Sequence, residues 1–187
     1  MRETLAALEA GEIGIEEAES RLAGYATTDA GRFDAARERR RGIPEAILAE
    51  GKTPAEVAAL ATTALDTTGR ALVTRADEAT AAAVASAVGD VGPDATVERD
   101  DRTGTVVAHA ADFELPSLDA AVAVVAAGTA DAPVAGEAAV VAREIGAAVD
   151  RVDDVGVANL DRILDQVGRI RGADAVIVAA GREGALP

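Results

Sequence analysis

The sequence has no cysteine and no tryptophan, and only one histidine, one tyrosine and two phenylalanines among 187 residues. Without cysteine these residues hold no disulfide framework, no thiolate metal site and no cysteine nucleophile. A single histidine excludes His-rich metal centres and His–His proton relays. Lysine is nearly absent as well, since every basic residue but Lys52 is arginine. Basic residues number 18 against 33 acidic ones, a formal net charge of −15. A surface so short of positive charge argues against general nucleic-acid binding, because neutralising phosphates needs a basic patch. Long apolar runs are missing too. Stretches such as Ala120–Gly128 fall far short of the roughly 20 residues a bilayer span needs, and Met1-Arg2-Glu3 opens no apolar leader. The expectation is a cytoplasmic protein with neither a membrane nor a nucleic-acid partner.

What is there is alanine, acid and arginine. Hydrophobic residues make up 49% of the chain and aromatics 2%, enough for a core built from small side chains. The length suits one ordinary domain, or a small one with part of another. Acid excess with arginine in place of lysine resembles proteins of salt-loving archaea. High-GC codon usage would also exchange Lys for Arg and enrich Ala, so both explanations stay open.

Read in order, Leu5 and Leu8 give a short helical stripe ending near Gly11, and Ile13, Ile15, Ala18 and Leu22 a second ending at Gly24. An arginine-dense stretch follows, Arg32 to Gly42, readable as a solvated helix face or as an anion-binding one. From Pro44 to about residue 110 the pattern predicts a β-α-β-α-β-β unit, with the first two helices as its partner layer. Thr53, Pro54 and Glu56 mark a helix start. Residues 111–116 read as a linker. Beyond it come a buried strand at Ala121–Ala127, a helix at Pro133–Val149 and a strand at Arg151–Val155. A helix at Asn159–Arg171, with Leu160, Ile163, Leu164, Val167 and Ile170 on one side, leads to a last strand at Ala175–Ala179. The fold class is α/β. N-terminal helices and a small α/β region occupy 1–112, and the first βαβαβ part of a doubly wound parallel sheet occupies 117–187. Three strands leave an apolar edge open, whereas such sheets usually have five or six. The sequence is therefore expected to be shorter than its domain, or covered at that edge by a partner subunit, and to form a homo-oligomer.

In open parallel sheets ligands bind beyond the carboxyl ends of the strands. Three loops meet that condition. Ala127-Gly128-Thr129-Ala130-Asp131-Ala132-Pro133 offers a glycine, two oxygen-bearing side chains and a helix N-terminus suited to phosphate, or else is a strand-to-helix turn with an Asp cap. The second is Asp154-Val155-Gly156-Val157-Ala158. The third, Ala180-Gly181-Arg182-Glu183-Gly184-Ala185, places Glu183 between glycines, as a carboxylate base or as an exposed loop residue.

The runs AGTADAPVAGEAA (Ala127–Ala139), DVGVANLDRIL (Asp154–Leu164) and VIVAAGREGALP (Val176–Pro187) resemble the nickel-pincer cofactor biosynthesis family LarB. The N-terminal half agrees, with Asp34, Arg37, Arg40, Gly42, Pro44, Glu45, then Gly51-Lys52-Thr53 and Thr74-Arg75 matching D..R..R.G.PE…GKT…TR. The resemblance covers nearly the whole chain. It implies an aminoimidazole-ribonucleotide (AIR) carboxylase-like C-terminal domain that carboxylates the pyridinium ring of nicotinic acid adenine dinucleotide with CO2 or bicarbonate and cleaves the phosphoanhydride. In that family a cysteine adds to the ring and makes it carbanion-like at the carboxylated carbon, and a base then removes a ring proton. By the resemblance Glu183 matches the glutamate of the AGMEGA loop, the candidate base. Gly128, Thr129 and Asp131 match the mononucleotide loop, with Asp154, Arg162 and Gly181 beside them. Arg40, Lys52 and Arg75 are candidates for meeting phosphates or carboxylates. No covalently bound cofactor is implied; Mg2+ is an open candidate.

The departures are specific. The family cysteine lies C-terminal to the AGMEGA loop, past Pro187. Arg182 replaces a Met, Gly136 a Glu, Asn159 a Gly, and Asp161 the His of an HR pair whose Arg162 remains. A catalytically inactive nucleotide-binding or assembly subunit is the alternative, and an AIR-carboxylase-type enzyme of purine synthesis a third reading. The acidic surface itself makes a prediction. Self-repulsion among −15 charges is screened within about 3 Å at 1 M salt, so molar KCl should raise the melting temperature. An unchanged melting temperature between low and molar KCl would leave codon usage as the explanation.

Overall fold

Thr53 begins the first large helix for a local reason. Its hydroxyl accepts from the Glu56 backbone N–H while the Glu56 carboxylate accepts from the Thr53 N–H at 2.7 Å, and Pro54 follows with no N–H to satisfy. The computed structural model describes residues 1–181 and 186, with the side chains of Glu16, Glu17 and Arg21 left aside. The chain divides into two compact units, residues 1–99 with 106–113, and residues 100–105 with 114–187.

The first unit opens with α1 (Arg2–Glu9) and α2 (Ile15–Ala23), then a hairpin of β1 (Ala26–Thr28) and β2 (Gly31–Phe33), and a short α3 (Arg37–Arg41). Then come β3 (Ile47–Leu48), α4 (Pro54–Thr68), β4 (Arg70–Thr74), α5 (Glu78–Val91), β5 (Thr96–Asp100) and β6 (Thr105–His109). The sheet order is β3-β4-β6-β5, with β3 parallel and β6 antiparallel to β4. Strand order and helix placement from residue 44 onward follow the predicted β-α-β-α-β-β pattern. The partner layer does not. Val57, Leu60, Ala61 and Ala64 of α4 and Ala81, Val84 and Val88 of α5 cover Ile47, Ala71, Val73, Val106 and Ala108, and Phe33 of the hairpin joins them. Among the described residues, neither α1 nor α2 contributes one to that core. Their apolar stripes are short, and Leu5 and Leu22 stay exposed. Each buried Val or Leu is worth about 1.5–3 kcal/mol, so the α4–α5 face dominates.

In the second unit β7 (Ala121–Ala126) is the centre of a parallel sheet ordered β8-β7-β9. A single 3-10 turn (Thr129–Asp131) leads into α6 (Ala132–Glu144), followed by β8 (Ala148–Val152), α7 (Leu160–Leu164), α8 (Val167–Arg171) and β9 (Ala175–Ala179). One face of β7, Val124 and Ala126, packs on Ala135 and Ala139 of α6. The other, Ala123 and Val125, packs with Val152, Val155, Ile163 and Ile170. Burial on both faces explains the unbroken apolar run.

Two boundaries differ from the sequence pattern. The strand expected at Arg151–Val155 runs over Ala148–Val152, because α6 stops at Glu144 and Gly146 turns the chain with φ +92°. A Cβ at Gly146 would run into the Pro116 carbonyl, so only glycine makes that turn here. The helix expected at Asn159–Arg171 is two short ones. Arg169 of α8 grips the Asp150 carboxylate with two nitrogens and donates to the Arg151 carbonyl at 2.9 Å. That grip ties α8 to β8; Leu160 and Leu164 of α7 are 61% and 62% exposed, off the stripe the periodicity assigned them.

Candidate functional site

The chain leaves β7 towards β8 on one side and returns to β9 on the other, so strand order reverses at β7. A crevice at the carboxyl ends follows from that reversal. The loops there are tied together by backbone. Ala127 N–H donates to the Ala179 carbonyl at 2.9 Å, and Gly156 N–H donates to the Ala127 carbonyl at 2.7 Å. A Cβ at Gly156 would stand 2.8 Å from that carbonyl oxygen, closer than real side chains approach. Gly156 is thus the residue that lets the second loop close on the first.

Asp131 joins the first loop to the third. One carboxylate oxygen accepts from the Gly128 N–H at 2.9 Å, and the other accepts from the Gly181 N–H at 3.0 Å. Of the predicted ligands, Gly128, Asp131 and Gly181 therefore stand in one hydrogen-bonded cluster, and Thr129 sits exposed in the 3-10 turn between them. Asp131 acts as a clip, and its negative charge occupies the place next to the α6 N-terminus. Asp154 holds φ +60° and accepts from Arg162 at 3.2 Å, an exposed pair at the end of the second loop. Asn159, which stands where the resembling family has glycine, caps α7 by accepting from the Asp161 N–H at 3.0 Å. Gly136 on α6 packs against Thr103, where any Cβ would overlap the threonine side chain. A glutamate at 136 would not fit this arrangement. Glu183 and Arg182 lie outside the described residues.

Arg40, Lys52 and Arg75 belong to the first unit, and each has a protein partner. Arg40 pairs with Asp34, Lys52 Nζ donates to the Leu48 carbonyl at 2.7 Å, and Arg75 pairs with Glu50 at 2.8 Å. The D..R..R.G.PE segment folds into a network of its own. Arg37 meets Glu45 at 3.4 Å, and the buried Arg70 guanidinium meets Glu38 at 2.7 Å while lying over Phe113. Burial raises the Glu45 pKa, against the opposing pull of Arg37. Asp150 titrates lower than usual because Arg169 hydrogen-bonds it. Among the described residues no group of three or more His, Cys, Asp or Glu is placed to hold a metal ion, and no helix is long and apolar enough to cross a membrane.

Residues 25–107 match the family model of the LarB/PurE-like N-terminal domain. The match supports the LarB/AIR carboxylase superfamily and a mixed α/β fold of that kind. The chain is also 27% identical over 192 aligned positions to an uncharacterised protein of Methanocaldococcus jannaschii, an alignment spanning 100% of this chain and 74% of the relative. Arg40, Lys52 and Arg75 fall inside the matched segment; the strand-end loops of the second unit fall outside it. Three residues that shape those loops or their support, Gly156, Asn159 and Arg169, carry no role in the sequence pattern. A glycine two residues past the Asp153-Asp154 pair is the one signal that points to Gly156.

Removing the clip should loosen the loops selectively. Asp131→Ala deletes acceptors for two backbone N–H groups, so a loss of about 2 kcal/mol is expected. Amide exchange at Gly128 and Gly181 should accelerate well beyond that of β7. Equal protection in both proteins would show that the carboxylate does not hold the loops.

Proposed function

We propose that this chain has a carboxylase-family role, and that it supplies the substrate-holding part of a LarB-type carboxylation of nicotinic acid adenine dinucleotide. The gathering of Gly128, Thr129, Asp131, Gly156 and Gly181 at the strand ends carries the reading, alongside the family match over 25–107. With the Gly128 and Gly181 N–H groups held by Asp131, the donors left for a nucleotide phosphate are the exposed Thr129 hydroxyl and the Arg162 guanidinium beyond its bond to Asp154. Glu183 is proposed as the base that takes the ring proton. The covalent step of that family needs a thiolate, and this sequence has no cysteine. A second reading is a catalytically inactive nucleotide-binding or assembly subunit, which would use the same strand-end loops without the covalent step. Self-association is part of both readings, supported by the edge position of β9 with Val176 and Ile177 exposed.

The two readings separate in one assay. The protein is incubated with nicotinic acid adenine dinucleotide, labelled bicarbonate and Mg2+, with and without a small soluble thiol. Dinucleotide binding by calorimetry with no fixed label is the expected result without thiol. Label fixed once thiol is added supports the carboxylase reading, and none even then supports the inactive subunit. Absence of dinucleotide binding would overturn both.

A further inference from the structure

The first unit holds a second feature, independent of the strand-end loops and of the function proposed for them. An open cleft of about 1080 Å3 lies among α2, the β1–β2 hairpin, α3 and α4. Among the described residues two arginines line it, Arg32 and Arg39. Unlike Arg37, Arg40 and Arg70 nearby, neither forms an ion pair with a described residue. Arg32 and Arg39 thus bring to one cleft guanidinium groups that no ion pair with a described residue occupies. The Arg32 guanidinium lies over the Tyr25 ring, 5.1 Å from its centroid, which fixes its position without using its N–H groups.

The opposite wall is one face of α4. Thr63, Asp66 and Thr67 recur at helical spacing and line the cleft together. The Thr63 hydroxyl donates to the Ala59 carbonyl at 2.9 Å and the Thr67 hydroxyl to the Thr63 carbonyl at 2.7 Å. With their protons committed, both hydroxyls face a ligand as acceptors, and the Asp66 carboxylate is an acceptor too. A wall of acceptors suits a molecule rich in hydroxyl donors. Glu19 also lines the cleft, so its described lining carries two carboxylates and two guanidinia.

We propose that this cleft binds the phosphoribosyl part of a nucleotide, with the phosphate between Arg32 and Arg39 and the sugar hydroxyls against Thr63, Asp66 and Thr67. Guanidinium groups match phosphate oxygens in geometry and charge, and a vicinal diol matches a carboxylate flanked by hydroxyl acceptors.

Tyr25 is the sole tyrosine of a chain without tryptophan, so ultraviolet-excited emission reports on this cleft alone. Ribose 5-phosphate does not absorb at the exciting wavelength and is the probe. A saturable change in Tyr25 emission is expected, with ribose or inorganic phosphate alone binding at least about tenfold more weakly. Arg39→Ala should weaken ribose 5-phosphate binding about tenfold without lowering the melting temperature. Asp66→Asn, followed by calorimetry, should erase the preference for ribose 5-phosphate over phosphate. No saturable response, inorganic phosphate binding as well as the sugar phosphate, or full affinity in Arg39→Ala would each overturn the proposal. Calorimetric binding of ribose 5-phosphate that is abolished by Asp131→Ala but not by Arg39→Ala would assign the binding to the strand-end loops and overturn the proposal equally.

Discussion

With aromatics at 2% of the chain, this protein cannot fill space with large side chains and instead brings backbones close together. In α4, Ala61 and Ala64 are buried where a bulkier protein would use leucine, and in α6 Ala135 and Ala139 do the same against β7. Glycine extends the principle to contacts where even a methyl group does not fit. Gly146 lies against the Pro116 carbonyl, Gly136 against Thr103, and Gly156 against the Ala127 carbonyl. Interiors tolerate few voids, so once small residues set the spacing, each neighbour must come in to match. Substituting any of these three glycines forces the neighbouring backbone or side chain to move.

The strand-end loops are a consequence of that spacing. Because Gly156 admits the Ala127 carbonyl, its N–H can tie the second loop to the first, and because Gly128 and Gly181 present bare backbone, the Asp131 carboxylate can reach both. Charge-assisted hydrogen bonds of this kind are stronger than neutral ones. The cluster is therefore built from backbone N–H groups and one acid, with few side chains to spare.

Much of this was legible in the sequence, for identifiable reasons. Thr53-Pro54 and Glu56 encode a local helix start that needs no tertiary contact, and the unbroken apolar run of β7 encodes burial on both faces. The elements that went differently depend on distant partners. Arg169 and Asp150 are nineteen residues apart, a pairing that no periodicity shows, and the expected 159–171 helix is two short ones with Leu160 and Leu164 exposed. The arginine-dense stretch allowed a solvated face or an anion site. The structure divides it residue by residue, with Arg37 and Arg40 held by Glu45 and Asp34 and Arg39 turned to a cleft. At the strand ends, the glycines and Asp131 stood out because turn chemistry is local, whereas the role of Gly156 needed the Ala127 carbonyl beside it.

The most direct test of the strand-end site is a backbone amide correlation spectrum of labelled protein titrated with nicotinic acid mononucleotide. Saturable shifts concentrated on the amides of Gly128, Thr129, Gly156 and Gly181, with those of α4 and α5 unmoved, are the predicted result. Saturable binding that leaves those four amides where they were, or no binding at all, would contradict the assignment of the nucleotide site to the carboxyl ends of β7, β8 and β9.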